Sequence, residues 1–260
     1  MNYPTVLPIL KRVREAEDTL TLLFPHSEPV KPGQFYMIWI PRVDEIPMSV
    51  SVNRRDYKGV TFRVVGEATE ALAKLDKKNR LGVRGPYGNG FSITNDASIL
   101  FVGGGTGVAT LAPAVEEAVD KKCRVTVIIG FKTKNEVFFE DRIRKLKAKM
   151  YVTTNDGSYG YHGYVTDLAE RILQEESYDL IVTCGPEPMM KKMLQLSKGT
   201  PMQASLERYM KCAIGICGQC CVGKGLRVCK EGPVFNDEVL NDLEDFGVYR
   251  RDASGRRIRF

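Results

Sequence analysis

"SILFVGGGTGVATLAPAVEEAVDKK", from Ser98 to Lys122, opens on a continuous apolar run, passes through Gly103, Gly104, Gly105 and Gly107, and ends in apolar residues at helical spacing. That order predicts a buried strand, a tight loop and a helix. Glycines at such a loop let the backbone approach a pyrophosphate closely, while the N–H groups and dipole of the following helix attract its charge. A tight turn is the other use of the same glycines, and the strand–loop–helix setting favours the nucleotide site over it.

Downstream of this unit the alternation continues. "RVTVIIGF", "NEVFFEDRIRKLKAK", "KMYVTTN", "VTDLAERILQE", "YDLIVTCG" and "EPMMKKMLQLS" place strand-like and helix-like segments in turn, the signature of a parallel sheet with right-handed crossovers. "VTCGPEPMM" puts Cys184, Gly185 and Pro186 at the C-terminal end of a late strand, the edge at which open α/β sheets bind ligands. A turn into the next helix is the plainer use of those three residues.

Upstream, "VLPIL", "LTLLF", "VKPGQFYMIWI", "PMSVSVN", "GVTFRVVG" and "RLGVRGPYGNGF" are short apolar runs punctuated by Pro and Gly, as in an antiparallel barrel. A helix is expected at "ATEALAKLDK", with Ala71, Leu72 and Leu75 on one face. Within this half Ser49, Arg63 and Thr69 offer hydroxyl and guanidinium donors suited to phosphate or an isoalloxazine edge, and Gly66 allows close backbone approach; ordinary barrel positions would use the same residues. Tyr87, in "GPYGNGF", either stacks on a ring system or anchors its loop. Boundaries near Asp96 and near Gly199-Thr200-Pro201 divide the chain into 1–96, 97–199 and a cysteine-rich lobe, 200–260.

The 260 residues, 43% hydrophobic, suffice for two domains and a small appendage. The N-terminus lacks an apolar run of signal-peptide length, so a cytoplasmic setting is expected. The uncharged stretch 97–115 contains four glycines and two threonines, unlike a membrane span. The formal charge of +6 is modest and concentrates in the tail "YRRDASGRRIRF"; no basic stripe interleaved with aromatics points to nucleic acid. With His26 and His162 as the two histidines, no nucleophile–base pair for work on an organic substrate is apparent.

"KCAIGICGQCCVGKGLRVCKEGPVF", 211–235, holds five of the seven cysteines. In a reducing compartment such a group binds metal or carries electrons more often than it crosslinks. Cys212, Cys217 and Cys220 form C-x4-C-x2-C, the plant-type [2Fe–2S] spacing, with Cys229 as a distal fourth ligand at a short gap. A zinc ribbon, the alternative, would show two separated C-x2-C pairs. Gly215 and Gly218 leave N–H groups free to approach cluster sulfurs. Cys221 and Cys123 are left as spares.

This order of features resembles the ferredoxin–NADP reductase superfamily. Within it, "TTNDGSYGYHGYVTDL", "ASLERYMKCAIGICGQCCVG" and "RVCKEGPVF" are similar to the electron transfer subunits of NAD-dependent (type B) dihydroorotate dehydrogenase, over nearly the whole chain. The resemblance implies an FAD-binding β-barrel, an NAD-binding α/β domain and a [2Fe–2S] lobe. It assigns Pro47, Met48, Ser49 and Arg63 to the flavin and Ala68-Thr69 to its pyrophosphate. It assigns Gly103, Gly104, Gly105 and Gly107 to the dinucleotide, Cys184, Gly185 and Pro186 to the nicotinamide edge, and Cys212, Cys217, Cys220 and Cys229 to the cluster. Ile46 and Ala68 depart from the usual arginine and glycine, so one charge that normally holds FAD is missing. Lys132 and Lys134 would favour the 2′-phosphate of NADP. Asp156, which the resemblance places near the adenosine ribose, outweighs them and favours NAD.

The resemblance also implies a partner, an FMN-containing dihydroorotate dehydrogenase catalytic subunit in a heterotetramer of pyrimidine biosynthesis. A cluster has to lie close to its electron donor, so the cysteine lobe is the expected docking surface, with a partly apolar face around Ile214, Ile216 and Val222; packing of these three against the flavin barrel is the equal alternative. Related flavin and iron–sulfur subunits of NAD(P)H–ferredoxin or sulfide oxidoreductase complexes share the plan, and some replace the first cluster cysteine by aspartate, which Cys212 speaks against. A zinc-stabilised binding module would leave the glycine loop without a purpose.

Overall fold

A computed structural model describes residues 3–260. The Pro- and Gly-punctuated runs of the first half form seven strands: β1 (Thr5–Pro8), β2 (Lys11–Arg14), β3 (Thr19–Pro25), β4 (Phe35–Ile40), β5 (Asp44–Asn53), β6 (Tyr57–Arg63) and β7 (Arg80–Tyr87). They hydrogen-bond in the order β1-β7-β4-β5-β6-β3-β2, all antiparallel, as a curled half-barrel. Its inner face buries Leu22, Phe24, Tyr36, Ile38, Val50, Val60 and Leu81. The expected helix, α1 (Glu67–Ala73), closes one side through Leu72.

From Ser98 onward the order is β8 (Ser98–Gly104), α2 (Gly107–Asp120), β9 (Arg124–Phe131), α3 (Glu140–Arg144), β10 (Lys149–Thr154), β11 (Tyr161–His162), α4 (Val165–Glu175), β12 (Leu180–Cys184), α5 (Glu187–Leu196) and β13 (Met202–Ser205). "NEVFFEDRIRKLKAK" supplies a far shorter helix than its charge and apolar pattern suggests. Phe138 and Phe139 are buried, and Phe139 adopts a left-handed φ of 61°, so helical φ/ψ begins only at Glu140.

The last lobe contributes β14 (Cys221–Val222), β15 (Leu226–Arg227), β16 (Val234–Asn236), α6 (Asp237–Asp242), β17 (Tyr249–Arg251) and β18 (Arg257–Arg259). The second sheet runs β11-β10-β9-β8-β12-β13-β16, parallel except for β16. Position 199/200 therefore falls inside this sheet, whose last two strands come from the segment that also carries the cysteines.

A single apolar cluster runs from the α4/α5 face of that sheet (Leu100, Ile181, Met193) into the lobe (Val222, Val228, Phe246) and reaches Phe35 and Met37 of the barrel. Val222, expected on an exposed docking face, is 1% exposed in this cluster, because β14 turns it inward as a core residue. Polar ties reinforce the joints. Glu116 on α2 accepts from Arg54 of the barrel and from Arg142 of α3, whose Nη1 donates to the Ser51 carbonyl at 2.7 Å. Arg208 of the lobe and Glu187 at the start of α5 form a buried ion pair, each 4% exposed, and Glu187 Oε2 also accepts from the Gly247 N–H at 2.9 Å.

Removing one member of this pair leaves a buried charge uncompensated. Glu187→Ala is expected to cost on the order of 3 kcal/mol, and Glu187→Gln combined with Arg208→Met less than that. Thermal unfolding of the three proteins checks the ranking.

Candidate cofactor sites

The sheet order places β8 and β12 side by side, with Gly103 opposite Cys184. The turns that leave these strands meet with almost no space between their backbones. A Cβ on Gly107 would lie 2.2 Å from the Cys184 carbonyl oxygen, one on Gly104 2.6 Å from Met189 Sδ, and one on Gly185 2.9 Å from the Gly104 carbonyl oxygen. Gly105 differs: its φ is +52° and its Cβ position faces open space, while its N–H donates to the Gly130 carbonyl at 2.8 Å. The α2 N-terminus opens on this bare side, with no side chain capping it and no acidic residue in its first turn. Uncapped N–H groups at a helix start are suited to an anion such as a pyrophosphate. Burial pushes the Cys184 thiol up to about 12, so at neutral pH it is a neutral side chain.

Asp156 follows β10, whose Thr154 pairs with Phe131 at the end of β9. Its Oδ1 accepts from the Ser158 hydroxyl at 2.6 Å and from the Ser158 N–H at 3.0 Å. Those bonds hold the carboxyl below its usual range. Its N–H donates to the Lys132 carbonyl, so Asp156 and the exposed Lys132 share the C-terminal edge of the sheet, the edge at which open α/β sheets bind ligands. Lys134 turns its ammonium over the Tyr159 ring, 5.7 Å from the centroid.

On the barrel, Pro47, Met48 and Ser49 sit on β5 opposite Met37, Tyr36 and Phe35 of β4. Arg63 ends β6, bonded to Asp18 of the barrel at 2.5 Å and to Glu136 of the second unit at 3.2 Å, so it stands at the joint between the two sheets. Gly66 begins α1 with open space at its Cβ position. The Thr69 hydroxyl is committed to that turn, accepting from the Val65 and Gly66 N–H groups and donating to the Gly66 carbonyl. Ala68 and Ile46 pack against the barrel core, which accounts for apolar residues at those two positions. Tyr87 packs on Phe35, 5.9 Å between centroids, and against Arg84.

Three of the expected cluster cysteines, Cys212, Cys217 and Cys220, lie on a loop with left-handed residues, Ala213, Gly215 and Gly218 having φ of 58°, 78° and 70°, and Cys229 follows β15. The sulfurs accept backbone N–H groups: Cys217 N–H to Cys212 Sγ at 3.4 Å, Gly215 N–H to Cys229 Sγ at 3.2 Å and Cys229 N–H to Cys220 Sγ at 3.4 Å. The Cys212 thiol is also within hydrogen-bond reach of the Cys217 thiol, and the Cys229 thiol of that of Cys220. Among the described residues no three His, Cys, Asp or Glu side chains converge on a point that would hold one ion. Two thiol pairs offer one pair to each iron of a two-iron cluster.

Burial opposes ionisation of Cys212, but N–H groups of Cys217, Ile214 and Ile216 outweigh it and bring its thiol down to about 6. Burial, followed by the Cys220 sulfur, pushes Cys229 up to about 12. Cys221 is half-buried on β14 and outside this bonding pattern. Ile216, 79% exposed, projects beside the exposed Cys217. Sequence reasoning missed Arg84 and Glu45, which form one wall of a cavity of about 580 Å³ beside Cys212 and Ile214. Their pairing joins separate strands and leaves no local spacing to detect.

Comparison with known proteins gives two family matches: "Iron-sulfur cluster binding domain of dihydroorotate dehydrogenase B" over residues 207–241 and "Oxidoreductase NAD-binding domain" over residues 101–195. The chain is 43% identical over 265 residues, covering 100% of both chains, to the "Probable dihydroorotate dehydrogenase B (NAD(+)), electron transfer subunit" of Methanocaldococcus jannaschii. It is 44% identical to the protein of the same name from Methanothermobacter thermautotrophicus, over 99% of this chain and 98% of the other. Among solved structures, an NADH-dependent reduced ferredoxin-NADP oxidoreductase described for flavin-based electron bifurcation superposes with a TM-score of 0.83 at 30% identity, over 94% of this chain and 91% of that one.

Four substitutions test the sites. Cys221→Ser should keep full iron content, whereas Cys220→Ser loses it; the reverse pattern overturns the ligand assignment. Asp156→Ala should reduce the preference for NAD over NADP about tenfold, the size of one lost charge-assisted hydrogen bond, read from kcat/KM with both nicotinamides. Gly107→Ala, forced against the Cys184 carbonyl, should give a protein that no longer binds to an immobilised dinucleotide.

Proposed function

The chain belongs to the family of dihydroorotate dehydrogenase B (NAD+) electron transfer subunits, and on that premise we propose how its residues divide the work. It is an NAD-dependent flavin and iron–sulfur oxidoreductase subunit with FAD, a [2Fe–2S] cluster and NAD as its cofactors. FAD supplies the exchange between one-electron and hydride transfer, and the cluster supplies the one-electron relay.

In this reading residues 1–96 hold FAD between Pro47, Met48 and Ser49 of β5, Arg63 of β6 and the open turn at Gly66, Ala68 and Thr69. Residues 97–199 bind NAD: the bare α2 N-terminus takes the pyrophosphate, Gly103, Gly104, Gly105 and Gly107 keep side chains out of its path, and Asp156 accepts from the ribose. Cys184, Gly185 and Pro186 form the floor at the nicotinamide end. Residues 200–260 hold the cluster through Cys212, Cys217, Cys220 and Cys229, with Gly215 and its neighbours donating N–H groups to sulfur. The observation that carries the reading is that one chain with a full-length relationship to these subunits has both two thiol pairs fed by backbone N–H groups and a bare glycine loop at the start of α2.

Dihydroorotate itself is oxidised on a partner. The catalytic subunit carries FMN in this reading, and the two subunits form a heterotetramer in the cytoplasm; a cysteine-rich chain that puts its thiols on a cluster suits a reducing compartment. Both histidines are accounted for in other ways. His26 Nδ1 is taken up by the Tyr36 hydroxyl at 3.2 Å, and burial lowers its pKa. His162 lies on the edge strand β11, its ring 2.9 Å from where a Cβ on Gly157 would stand. No helix among the described residues is long and apolar enough to cross a membrane.

The chain alone is expected to oxidise NADH with an artificial acceptor and to leave dihydroorotate untouched. Co-expressed with an FMN-containing catalytic subunit, it should form a stable complex that reduces NAD+ with dihydroorotate. Dihydroorotate oxidation by the chain alone, or no complex, would instead favour a subunit of an NAD(P)H–ferredoxin or sulfide oxidoreductase complex.

A further inference from the structure

Arg84 lies on β7 opposite Met37 of β4, and its side chain is 9% exposed. Its guanidinium is shared between two parts of the molecule. Nε and Nη2 grip the Glu45 carboxylate of β5, both at 2.6 Å. Nη1 donates to the main-chain carbonyl of Cys212 at 2.9 Å, and Nη2 reaches the Lys211 carbonyl at 3.3 Å. Nη1 also meets the Tyr87 hydroxyl at 3.3 Å, with the guanidinium carbon 5.5 Å from that ring's centroid. A planar fork with five donors can serve a carboxylate and two carbonyls at once, which an ammonium cannot do in fixed geometry.

A permanent cation, shielded from water, is thus in contact with the peptide of the first cluster cysteine, and the contact is anchored in the flavin barrel. We infer that Arg84 is a positioning residue that fixes the Cys212 peptide against the barrel and biases the cluster toward its reduced form, with Glu45 setting how much of the cation's charge the cluster feels. Reduction adds one negative charge to the cluster. A nearby cation stabilises the reduced form, and a carboxylate beside that cation offsets part of the stabilisation. The two side chains are 9% and 23% exposed, so salt screens them less than surface charges. The inference rests on the cluster assignment made above and goes beyond it, since it gives two residues outside the ligand loop a role in the potential.

The test is an EPR-monitored redox titration of the purified holoprotein. Arg84→Met should lower the midpoint so that the reduced-to-oxidised ratio at a fixed ambient potential falls about tenfold, ~59 mV for a one-electron couple. Arg84→Lys should recover part of the loss. Glu45→Gln, which leaves the guanidinium uncompensated, should move the midpoint the opposite way. A purely structural role would not give opposite signs for the two partners. If Arg84→Met fails to retain iron, Glu45→Gln decides, with a raised midpoint supporting the inference and an unmoved one overturning it. Shifts of the same sign, or none in iron-replete variants, also overturn it. A wild-type protein with no [2Fe–2S] signal would contradict the functional reading instead.

Discussion

The structure depends on the contact between two backbone turns, the one leaving β8 and the one leaving β12. Parallel pairing puts Gly103 opposite Cys184, and the chain then has to turn twice in the same small volume. Gly107 has no room for a methyl group, which would meet the Cys184 carbonyl, and one on Gly104 would have to displace the Met189 thioether. That constraint fixes residue type at the turn, aims the start of α2 at open space and leaves its N–H groups without side-chain partners. An uncapped helix start of the kind that suits an anion follows from packing alone, before any ligand is considered.

The other two parts are held to this edge by different means. The cysteine lobe gives β13 and β16 to the same sheet and shares its apolar core, so it does not hang from the body on a linker. The barrel is tied through Glu116, which collects Arg54 and Arg142, and through Arg63, which bridges Asp18 and Glu136. Cofactors placed in a barrel, a parallel sheet and a thiol loop would therefore keep fixed separations, as stepwise electron transfer needs. The apolar side chains at the cluster divide accordingly: Val222 is part of the core, and Ile216 is left outward beside Cys217.

What the sequence disclosed follows from how local each signal is. Continuous apolar runs such as "SILFVGG" and "RVTVIIGF" mark buried parallel strands wherever they occur, and the C-x4-C-x2-C spacing is visible because thiols are scarce. β13 and β16 span 4 and 3 residues, too short to carry a period, so their place in the parallel sheet was not legible. The helix expected in "NEVFFEDRIRKLKAK" shrank because burying two phenylalanines overrides the helical preference around them. Contacts between residues distant in sequence, Arg84 with Glu45 or Arg208 with Glu187, have no signature in a single chain, and there sequence reasoning was silent.

The central claim is that one polypeptide holds a flavin and a two-iron cluster at once. The most direct measurement counts iron, acid-labile sulfide and flavin per chain in anaerobically purified protein and records the EPR spectrum after reduction. The account predicts two irons, two sulfides and one flavin, with the signal of a reduced [2Fe–2S] centre. A colourless chain containing zinc, or iron without labile sulfide, would contradict it.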